Sequence, residues 1–248
     1  MSLKEKTIKG LSWSALSQGG KVLSQFVTTA ILARILSPQD FGLLAMALVF
    51  TEFVNIFCDV GVGNAIVQKK DATEEHFSTA FWLNLGIGVC LMCLLAVLSP
   101  LVAKFYDKPQ LSLILRVLSV NFVIFSLSFV FQAHLSKHLE FKKLAFRSLL
   151  SVVLGSVAGI AAAFNGWGVW SLVAQTLTVS VVNLLSLVFM SSWYPRFLFS
   201  REALRDIFGF SVNTTASGIL YYWTRNIDKL LIGKFLGAQL LGFYSIAY

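Results

Sequence analysis

The sequence predicts an all-α polytopic membrane protein, built as one six-helix lobe plus the start of a second, parallel-repeat lobe. Of its 248 residues, 56% are hydrophobic and only 13% are charged, and the mean hydropathy is +0.75. A soluble protein carries about 25% charged residues, and a chain of this length cannot bury so large an apolar fraction. The apolar residues also form charge-free runs long enough to cross ~30 Å of hydrocarbon as helices.

Seven apolar runs are predicted as membrane-spanning helices, with an eighth beginning near Leu240. The first two are separated by Ser37-Pro38-Gln39-Asp40, and the charge-free run Ser148–Pro195 is divided by the turn Asn165–Gly168. The last run stops at Tyr248 without a flanking charge, so we expect further sequence beyond it. The predicted spans are Leu11–Leu36, Phe41–Gly63, Phe77–Ala103, Val117–Ala133 with its flanks, the two halves of Ser148–Pro195, and Ile207–Ile232.

Lysine and arginine are distributed unequally between alternate loops. The net charge is +8; twelve basic residues fall in the N-terminal segment and the second, fourth and sixth loops, against six on the other side. The four assigned to the fourth loop are Lys137, Lys142, Lys143 and Arg147. Cytoplasmic loops of membrane proteins carry the excess of basic residues, so we expect the N terminus in the cytoplasm. Because topology explains the basic charge, no nucleic-acid partner is expected.

A faint internal repeat relates two segments 200 residues apart, Ala33–Gly42 and Gly233–Gly242. Each copy falls at the turn between an odd-numbered and an even-numbered helix. Six helices per repeat is an even number, so both copies cross the membrane in the same direction, as in transporters built from parallel repeats. The sequence therefore predicts residues 1–200 as a first repeat and 201–248 as the start of a second. The identical positions are Leu36/Leu236, Gln39/Gln239, Gly42/Gly242 and Ala47/Ala247.

Charged side chains occur where a span should face lipid. A charge at the bilayer centre costs about 2.5–3.5 kcal/mol on insertion scales, and Lys21 lies near the midplane of helix 1. It belongs to a polar stripe with the i, i+3, i+4, i+7 spacing of one helix face. Helix 2 carries Glu52, Asn55 and Asp59 on one face. The stripe on helix 1 is Ser14, Ser17, Gln18, Lys21, Ser24, Gln25 and Thr28, and that on helix 7 is Ser211, Thr214, Gly218, Tyr221 and Arg225.

Two interpretations of these residues remain open. In the first, Lys21 and Glu52 pair to hold helices 1 and 2 together. In the second, the stripes line a water-filled cavity between helices 1, 2 and 7, which also explains why the polar stripe runs nearly the full length of helix 1. On the second interpretation the substrate-binding residues are Lys21, Arg225, Gln18, Gln25 and Tyr221, and the candidate ion or charge-pair residues are Glu52, Asp59 and Asn55.

The sequence offers no motif for catalysis or for binding a metal or cofactor. Cys90 and Cys93 lie in an apolar run and are interpreted as packing residues. His134 and His138 have the spacing of helical metal ligands but lack a further ligand nearby. No nucleophile, base and carboxylate are grouped, so we expect neither an enzyme nor a metal site or cofactor.

Five segments, in order along the chain, resemble one family. They are Leu32–Leu36, Phe41–Leu44, Asp59-x-Gly61-x3-Ala65-x2-Gln68, Leu139–Lys143, and Asn226-x-Asp228-x3-Ile232-Gly233-x2-Leu236-Gly237-x4-Gly242-x-Tyr244. Together they resemble the N-terminal half of bacterial polysaccharide and oligosaccharide flippases. The similarity is to the colanic-acid-exporter-like branch of the multidrug/oligosaccharidyl-lipid/polysaccharide exporter superfamily.

The resemblance implies export of a polyprenyl-pyrophosphate-linked oligosaccharide across the bacterial cytoplasmic (inner) membrane by alternating access. A cation at the midplane suits the pyrophosphate, and Ser, Thr and Gln side chains suit sugar hydroxyls. The implied partners are this lipid-linked glycan, the lipid bilayer and other polysaccharide-assembly proteins, with the protein itself a monomer. The alternatives are a drug or ion antiporter of the same superfamily, a membrane-embedded glycan polymerase or glycosyltransferase, and a structural protein of an envelope complex.

Overall fold

The computed structural model describes residues 3–58, 73–200 and 219–247, with side chains from residue 13 onward except 14 and 16. All regular structure in these ranges is helical, which confirms the predicted fold class. The predicted end of helix 2 at Gly63 and the predicted start of helix 7 at Ile207 lie outside the described residues. The helices are α1 Leu3–Ile35, α2 Pro38–Asn55, α3 Glu74–Phe105, α4 Gln110–Lys137, α5 Phe141–Phe164, α6 Val169–Met190, α7 over residues 219–236 and α8 Gly237–Ala247.

The chain is a multi-pass membrane protein. Within the described ranges, five helical segments are long and apolar enough to cross a membrane: α3, α4, α5, α6 and the stretch Ile219–Ala247. α1 carries more polar side chains than these helices. Gly237 divides the last stretch into α7 and α8, because its φ of 83° and ψ of 176° belong to a region that essentially only glycine adopts. The eighth helix thus begins just before the predicted Leu240.

Local turn chemistry sets where the helices begin and end. The Ser37 hydroxyl accepts a hydrogen bond from the Asp40 N–H at 3.3 Å, and the Asp40 carboxylate accepts one from the Ser37 N–H at 3.0 Å. Pro38 follows in the first turn, where a missing N–H is tolerated. α2 therefore begins at Pro38 rather than at the predicted Phe41. The predicted turn Asn165–Gly168 separates α5 from α6 as expected.

The helices pack mainly as hairpins, but α1 packs out of chain order. α3 packs on α4, α5 on α6, and α2 on α8, whereas α1 packs along α5 and makes only marginal contact with α2 near their shared turn. The Lys142 ammonium lies 5.4 Å from the ring centre of Trp13, and Leu149 is the nearest side chain to Gly20. Both pairs are separated by 129 residues, so α1 and α5 run parallel.

The largest apolar core is centred on α4. Ile114, Leu115 and Phe122 of α4 are almost completely buried, in one cluster with Met46 of α2 and Leu241 of α8. This core therefore joins α2 and α8, which come from the two segments of the predicted repeat.

Candidate functional site

The structure places Lys21 and Arg147 on two helices that pack together, α1 and α5. Lys21 is half-buried, and its ammonium donates to the side-chain oxygen of Gln18 at 3.5 Å. Gly20 marks the close approach of the two helices, because a Cβ at that position would lie 2.7 Å from Leu149 Cδ2.

Arg147 lies inside α5 with only 9% of its surface exposed, although the sequence analysis counts it among the loop charges. Its Nη1 and Nη2 both donate to Gln132 Oε1 of α4, at 3.3 and 3.4 Å, and its buried Nε donates to none of the described residues. We call Gln18, Lys21, Gln132 and Arg147 the α1–α5 cation cluster. The prediction did not include Arg147 among the site residues. The sequence did contain a signal: Arg147 is a cation on α5, and α4, α5 and α6 contain no Asp or Glu to pair with it.

The other predicted substrate-binding residues are exposed. Gln25 lies on the surface of α1, and Tyr221 and Arg225 lie on the surface of α7, with the Arg225 guanidinium 5.2 Å from the Tyr221 ring centre. No hydrogen bond or ion pair among the described residues links Arg225 to the α1–α5 cation cluster. An open groove of about 640 Å³ is lined entirely by α1, by Ala15, Gln18, Gly19, Val22, Leu23 and Phe26.

Lys21 and Glu52 do not form the ion pair that the first interpretation of the sequence requires. The reason is helix packing: α1 lies along α5, whereas α2 lies against α7 and α8. Glu52 lies on α2, which contacts α7 through the hydrogen bond from Tyr222 to Val49. Glu52 therefore stays a candidate charge-pair residue, with any partner expected on α7 rather than on α1.

A chain of hydrogen bonds links α7 to α2 next to Glu52. Lys229 Nζ donates to the side-chain oxygen of the buried Asn226 at 3.3 Å, and Asn226 donates to the Tyr222 carbonyl at 3.1 Å. The Tyr222 hydroxyl in turn donates to the carbonyl of Val49 at 2.6 Å. Asn55, at the end of α2, has an enclosed side-chain oxygen that accepts no hydrogen bond from the described residues.

One candidate ion or charge-pair residue and the two histidines with metal-ligand spacing remain. Asp59 lies outside the described residues. The rings of His134 and His138 pack at a tilt of 39° with their centres 4.4 Å apart. No group of three or more His, Cys, Asp or Glu within the described part of the chain could hold a metal ion.

The two segments of the internal repeat contact each other through glycine. A Cβ on Gly42 would lie 1.7 Å from the carbonyl oxygen of Ala238, and a Cβ on Gly242 would lie 1.7 Å from that of Pro38. Pro38 and Ala238 are 200 residues apart, as are Gly42 and Gly242, so the two halves of this contact are equivalent. We call these four residues the repeat contact.

Comparison of the sequence with protein families gives one match that covers most of the chain. A family model described as "polysaccharide biosynthesis protein" matches residues 31–248. The chain is also 33% identical to the teichuronic acid biosynthesis protein TuaB of Bacillus subtilis, over 100% of this chain and 52% of that protein.

Two other relatives are similar over the same length. The succinoglycan biosynthesis transport protein ExoT of Rhizobium meliloti is 32% identical, over 99% of this chain and 50% of its own. The lipopolysaccharide biosynthesis protein WzxC of Escherichia coli is 30% identical, over 100% of this chain and 51% of its own. The chain thus spans about half the length of the relatives it matches.

Among solved structures, the fold is similar to a multidrug resistance MATE family transporter of the MOP superfamily in an inward-facing conformation. The TM-score is 0.61 at 19% identity, over 92% of this chain and 57% of the transporter. At this identity the similarity establishes a shared fold.

Proposed function

Because the chain belongs to the polysaccharide biosynthesis protein family, we propose that it serves in a flippase for lipid-linked oligosaccharides. The proposed substrate is a polyprenyl-pyrophosphate-linked glycan, moved across the bacterial cytoplasmic membrane from the inner to the outer leaflet. Transport proceeds by alternating access, in which two lobes rock about a central cavity. The protein performs no chemistry on the glycan, and its N terminus lies in the cytoplasm.

The observation that carries this proposal is the repeat contact. Gly42 meets Ala238 as Gly242 meets Pro38, and a contact in which equivalent residues exchange roles is the signature of a two-fold axis. Parallel repeats place such an axis along the membrane normal. The contact therefore supports residues 1–200 and 201–248 as parts of two repeats that face each other.

The repeat contact lies at the membrane face where α1 turns into α2 and α7 into α8. With the N terminus in the cytoplasm, this is the periplasmic face. One ion pair also bridges the two segments there: Lys234 of α7 lies 3.3 Å from Asp107, which is largely exposed and so contributes at most about 1 kcal/mol. The face is thus closed mainly by backbone and apolar packing, which supports an inward-facing state that opens by separation of α2 from α8.

Lys21 and Arg225 are the proposed anchors of the substrate pyrophosphate. They lie on the first helix of each repeat, 204 residues apart, close to the 200-residue offset. An anion moved into a low-dielectric site needs fixed cations; Arg225 can hold two oxygens in a fork, whereas Lys21 acts as a point charge. The sugars are assigned to Gln18, Gln25 and Tyr221, and ion coupling to Glu52, Asn55 and Asp59.

The test is polysaccharide export by the full-length protein in a strain that lacks its own exporter. Lys21→Ala and Arg225→Ala should each abolish surface polysaccharide while lipid-linked precursor accumulates in the inner leaflet, and Arg225→Lys should reduce export partially. Arg34→Gln, an exposed residue near the end of α1, is the control and should export normally. Normal surface polymer from a well-expressed Lys21→Ala/Arg225→Ala double variant would contradict the assignment.

The same experiment distinguishes the flippase from a glycan polymerase. Loss of a polymerase would leave the lipid-linked precursor on the outer leaflet, accessible to an impermeant periodate or lectin probe. Loss of a flippase leaves the precursor inside. Precursor found outside in the Lys21→Ala strain would therefore favour the polymerase.

A further inference from the structure

An open cavity of about 520 Å³ lies where α3 turns into α4, and we call it the α3–α4 corner cavity. Its lining combines Lys104 and Lys108 with Ser112 of α4 and with proline and alanine side chains. A neighbouring opening is lined by both Lys108 and Gln39 of the α1–α2 turn, so the cavity lies at the same membrane face as the repeat contact. Neither lysine forms an ion pair or a side-chain hydrogen bond with the described residues.

The turn that ends α3 holds both lysines on ordered backbone. Asp107 has a φ of 55°, in the left-handed region that Asp is one of the few non-glycine residues to adopt. The Lys108 N–H donates to the Ala103 carbonyl at 3.0 Å, and the Asp107 N–H donates to the Lys104 carbonyl at 3.2 Å. These two bonds close the last turn of α3, so the chain brings Lys108 back toward the end of that helix.

Arg116 adds a third cation one helical turn beyond Ser112. It lies ~9 Å along α4 from Gln110, and its side chain is exposed on this membrane-spanning helix. Its Nε donates to the buried Ser99 Oγ at 3.1 Å, and Ser99 Oγ lies 3.1 Å from Ser112 Oγ in the cavity wall. The two Nη atoms form no hydrogen bond with the described residues. An exposed guanidinium at this depth is favourable only where it reaches an anion or the headgroup layer.

The carboxylates that the structure describes at this membrane face are engaged elsewhere. Asp107 lines the cavity, but its carboxylate lies 3.3 Å from the Lys234 ammonium of α7. The Asp40 carboxylate accepts a hydrogen bond from the Ser37 N–H at 3.0 Å and caps α2. Among the described residues, the three cations of the cavity are therefore left without a carboxylate partner.

Further carboxylates belong to residues 59–72 and 201–218, which lie outside the described residues. These segments join the described chain where α2 ends, near where α3 begins and where α7 begins. Each of these three points lies at least ~20 Å along its helix from the membrane face that carries the cavity. The chain thus leads both segments away from this face.

We infer that the α3–α4 corner cavity binds the headgroup of an anionic phospholipid from the surrounding membrane. Arg116 presents its two Nη atoms to the phosphate oxygens, and Lys104 and Lys108 supply further positive charge, as in other basic pockets for lipid headgroups. Leu101 and Leu113 adjoin the lining residues in the sequence and are more than half exposed, so they offer apolar surface to the acyl chains. That surface and the depth of Arg116 favour a lipid over a water-soluble anion.

This inference goes beyond the proposed function, because the ligand is a component of the membrane and not the cargo. On the proposed orientation the lipid belongs to the outer leaflet. The cavity also shares Asp107 with the ion pair to Lys234, so the bound lipid lies beside the contact between the two segments of the predicted repeat.

The test titrates phosphatidylglycerol into the purified full-length protein in detergent and measures the Kd by native mass spectrometry. Lys104→Gln and Lys108→Gln should each raise the Kd about fivefold, as expected for one basic residue beside an anionic headgroup. Arg116→Gln should raise it about tenfold or more, because a forked contact to the phosphate is lost. Arg34→Gln is the matched control: it removes an exposed cation at the same membrane face that does not line the cavity, and its Kd should stay unchanged.

Thermal unfolding separates lipid binding from a structural role. Without lipid, the Lys104→Gln/Lys108→Gln double variant should unfold at the same temperature as the natural protein, because neither lysine has a partner among the described residues. Phosphatidylglycerol should raise the unfolding temperature of the natural protein, since a ligand that binds the folded state stabilises it. The rise should be smaller for the double variant. An equal rise for both proteins, or an unchanged Kd in all three cavity variants, would overturn the inference.

Three competing ligands identify the chemistry that the cavity selects. Phosphatidylethanolamine, which carries the same phosphate but no net charge, should bind more weakly than phosphatidylglycerol. Inorganic phosphate and glucuronic acid should not displace phosphatidylglycerol at the concentrations at which the lipid binds. Equal binding of phosphatidylethanolamine would overturn the selectivity for an anionic lipid. Displacement by inorganic phosphate would identify a general anion site, and displacement by glucuronic acid a site for acidic sugars; either result would overturn the assignment to a lipid.

Discussion

Replacing Gly242 by alanine tests whether the repeat contact controls opening of the membrane face on which it lies. The added Cβ would lie 1.7 Å from the Pro38 carbonyl oxygen and within 3.2 Å of the Gly42 nitrogen. Both obstacles are backbone atoms, which no rotamer change can move away. α2 and α8 must therefore separate by about 1.5 Å to reach van der Waals distance.

The magnitude follows from the cost of overpacking. Adding a methyl group to a closely packed contact costs about 1–3 kcal/mol. Alanine is also about 1 kcal/mol more favourable than glycine in a helix, but this gain is present in the closed and the separated states and cancels between them. The equilibrium between the two states should therefore shift about 5- to 150-fold toward separation. Gly42→Ala should have the same effect, since the contact is equivalent from both sides.

The assay is the distance between spin labels at Gln39 and Gln239, two exposed positions that are 200 residues apart and so report on the separation of α2 from α8. The natural full-length protein should give mainly the short distance, and Gly42→Ala and Gly242→Ala the longer one. Gly86→Ala is the control, because a Cβ there would meet nothing within 4 Å. Distance distributions for Gly242→Ala that match those of Gly86→Ala would refute the reasoning.

Two further predictions concern topology and charge. A single cysteine that replaces His138, an exposed residue at the end of α4, should not react with an impermeant maleimide applied from outside the cell. A single cysteine that replaces Trp167, which is exposed in the α5–α6 turn, should react. The opposite pattern would invert the proposed orientation. Glu52→Gln and Lys21→Met should change the free energy of unfolding additively, within about 0.5 kcal/mol, because the two residues belong to different helix pairs. Glu52→Gln and Lys229→Met should be coupled, and coupling of Glu52 to Lys21 instead would contradict the packing of α1 on α5.

Turns could be predicted from the sequence because their causes are local. The Ser37–Asp40 capping pair acts within four residues, so the boundary between α1 and α2 is readable without any tertiary information. The repeat stays a prediction from a few identities at a 200-residue offset. Gly42 and Gly242 are among these identities, and the structure gives a physical reason for both glycines, the close approach of α2 to α8.

Helix neighbours could not be predicted in the same way. The sequence shows which face of a helix is polar, but hydropathy does not indicate which other helix packs against that face. Pairing Lys21 with Glu52 assumed that α1 packs on the helix that follows it. In the structure α1 lies parallel to α5, where Gly20 has no Cβ to meet Leu149, and α2 lies against α7 and α8.

The burial of Arg147 could not be predicted from a count of basic residues. Counting basic residues for topology treats every Lys and Arg near a loop as equivalent, so Arg147 was grouped with Lys142 and Lys143. Burial separates them: Lys142 is exposed, whereas Arg147 is enclosed between α4 and α5. A positive residue serves topology equally well at the surface, so its burial needs a second cause. Its two Nη atoms donate to Gln132 Oε1 of α4, so a link between α4 and α5 is the cause that the structure shows.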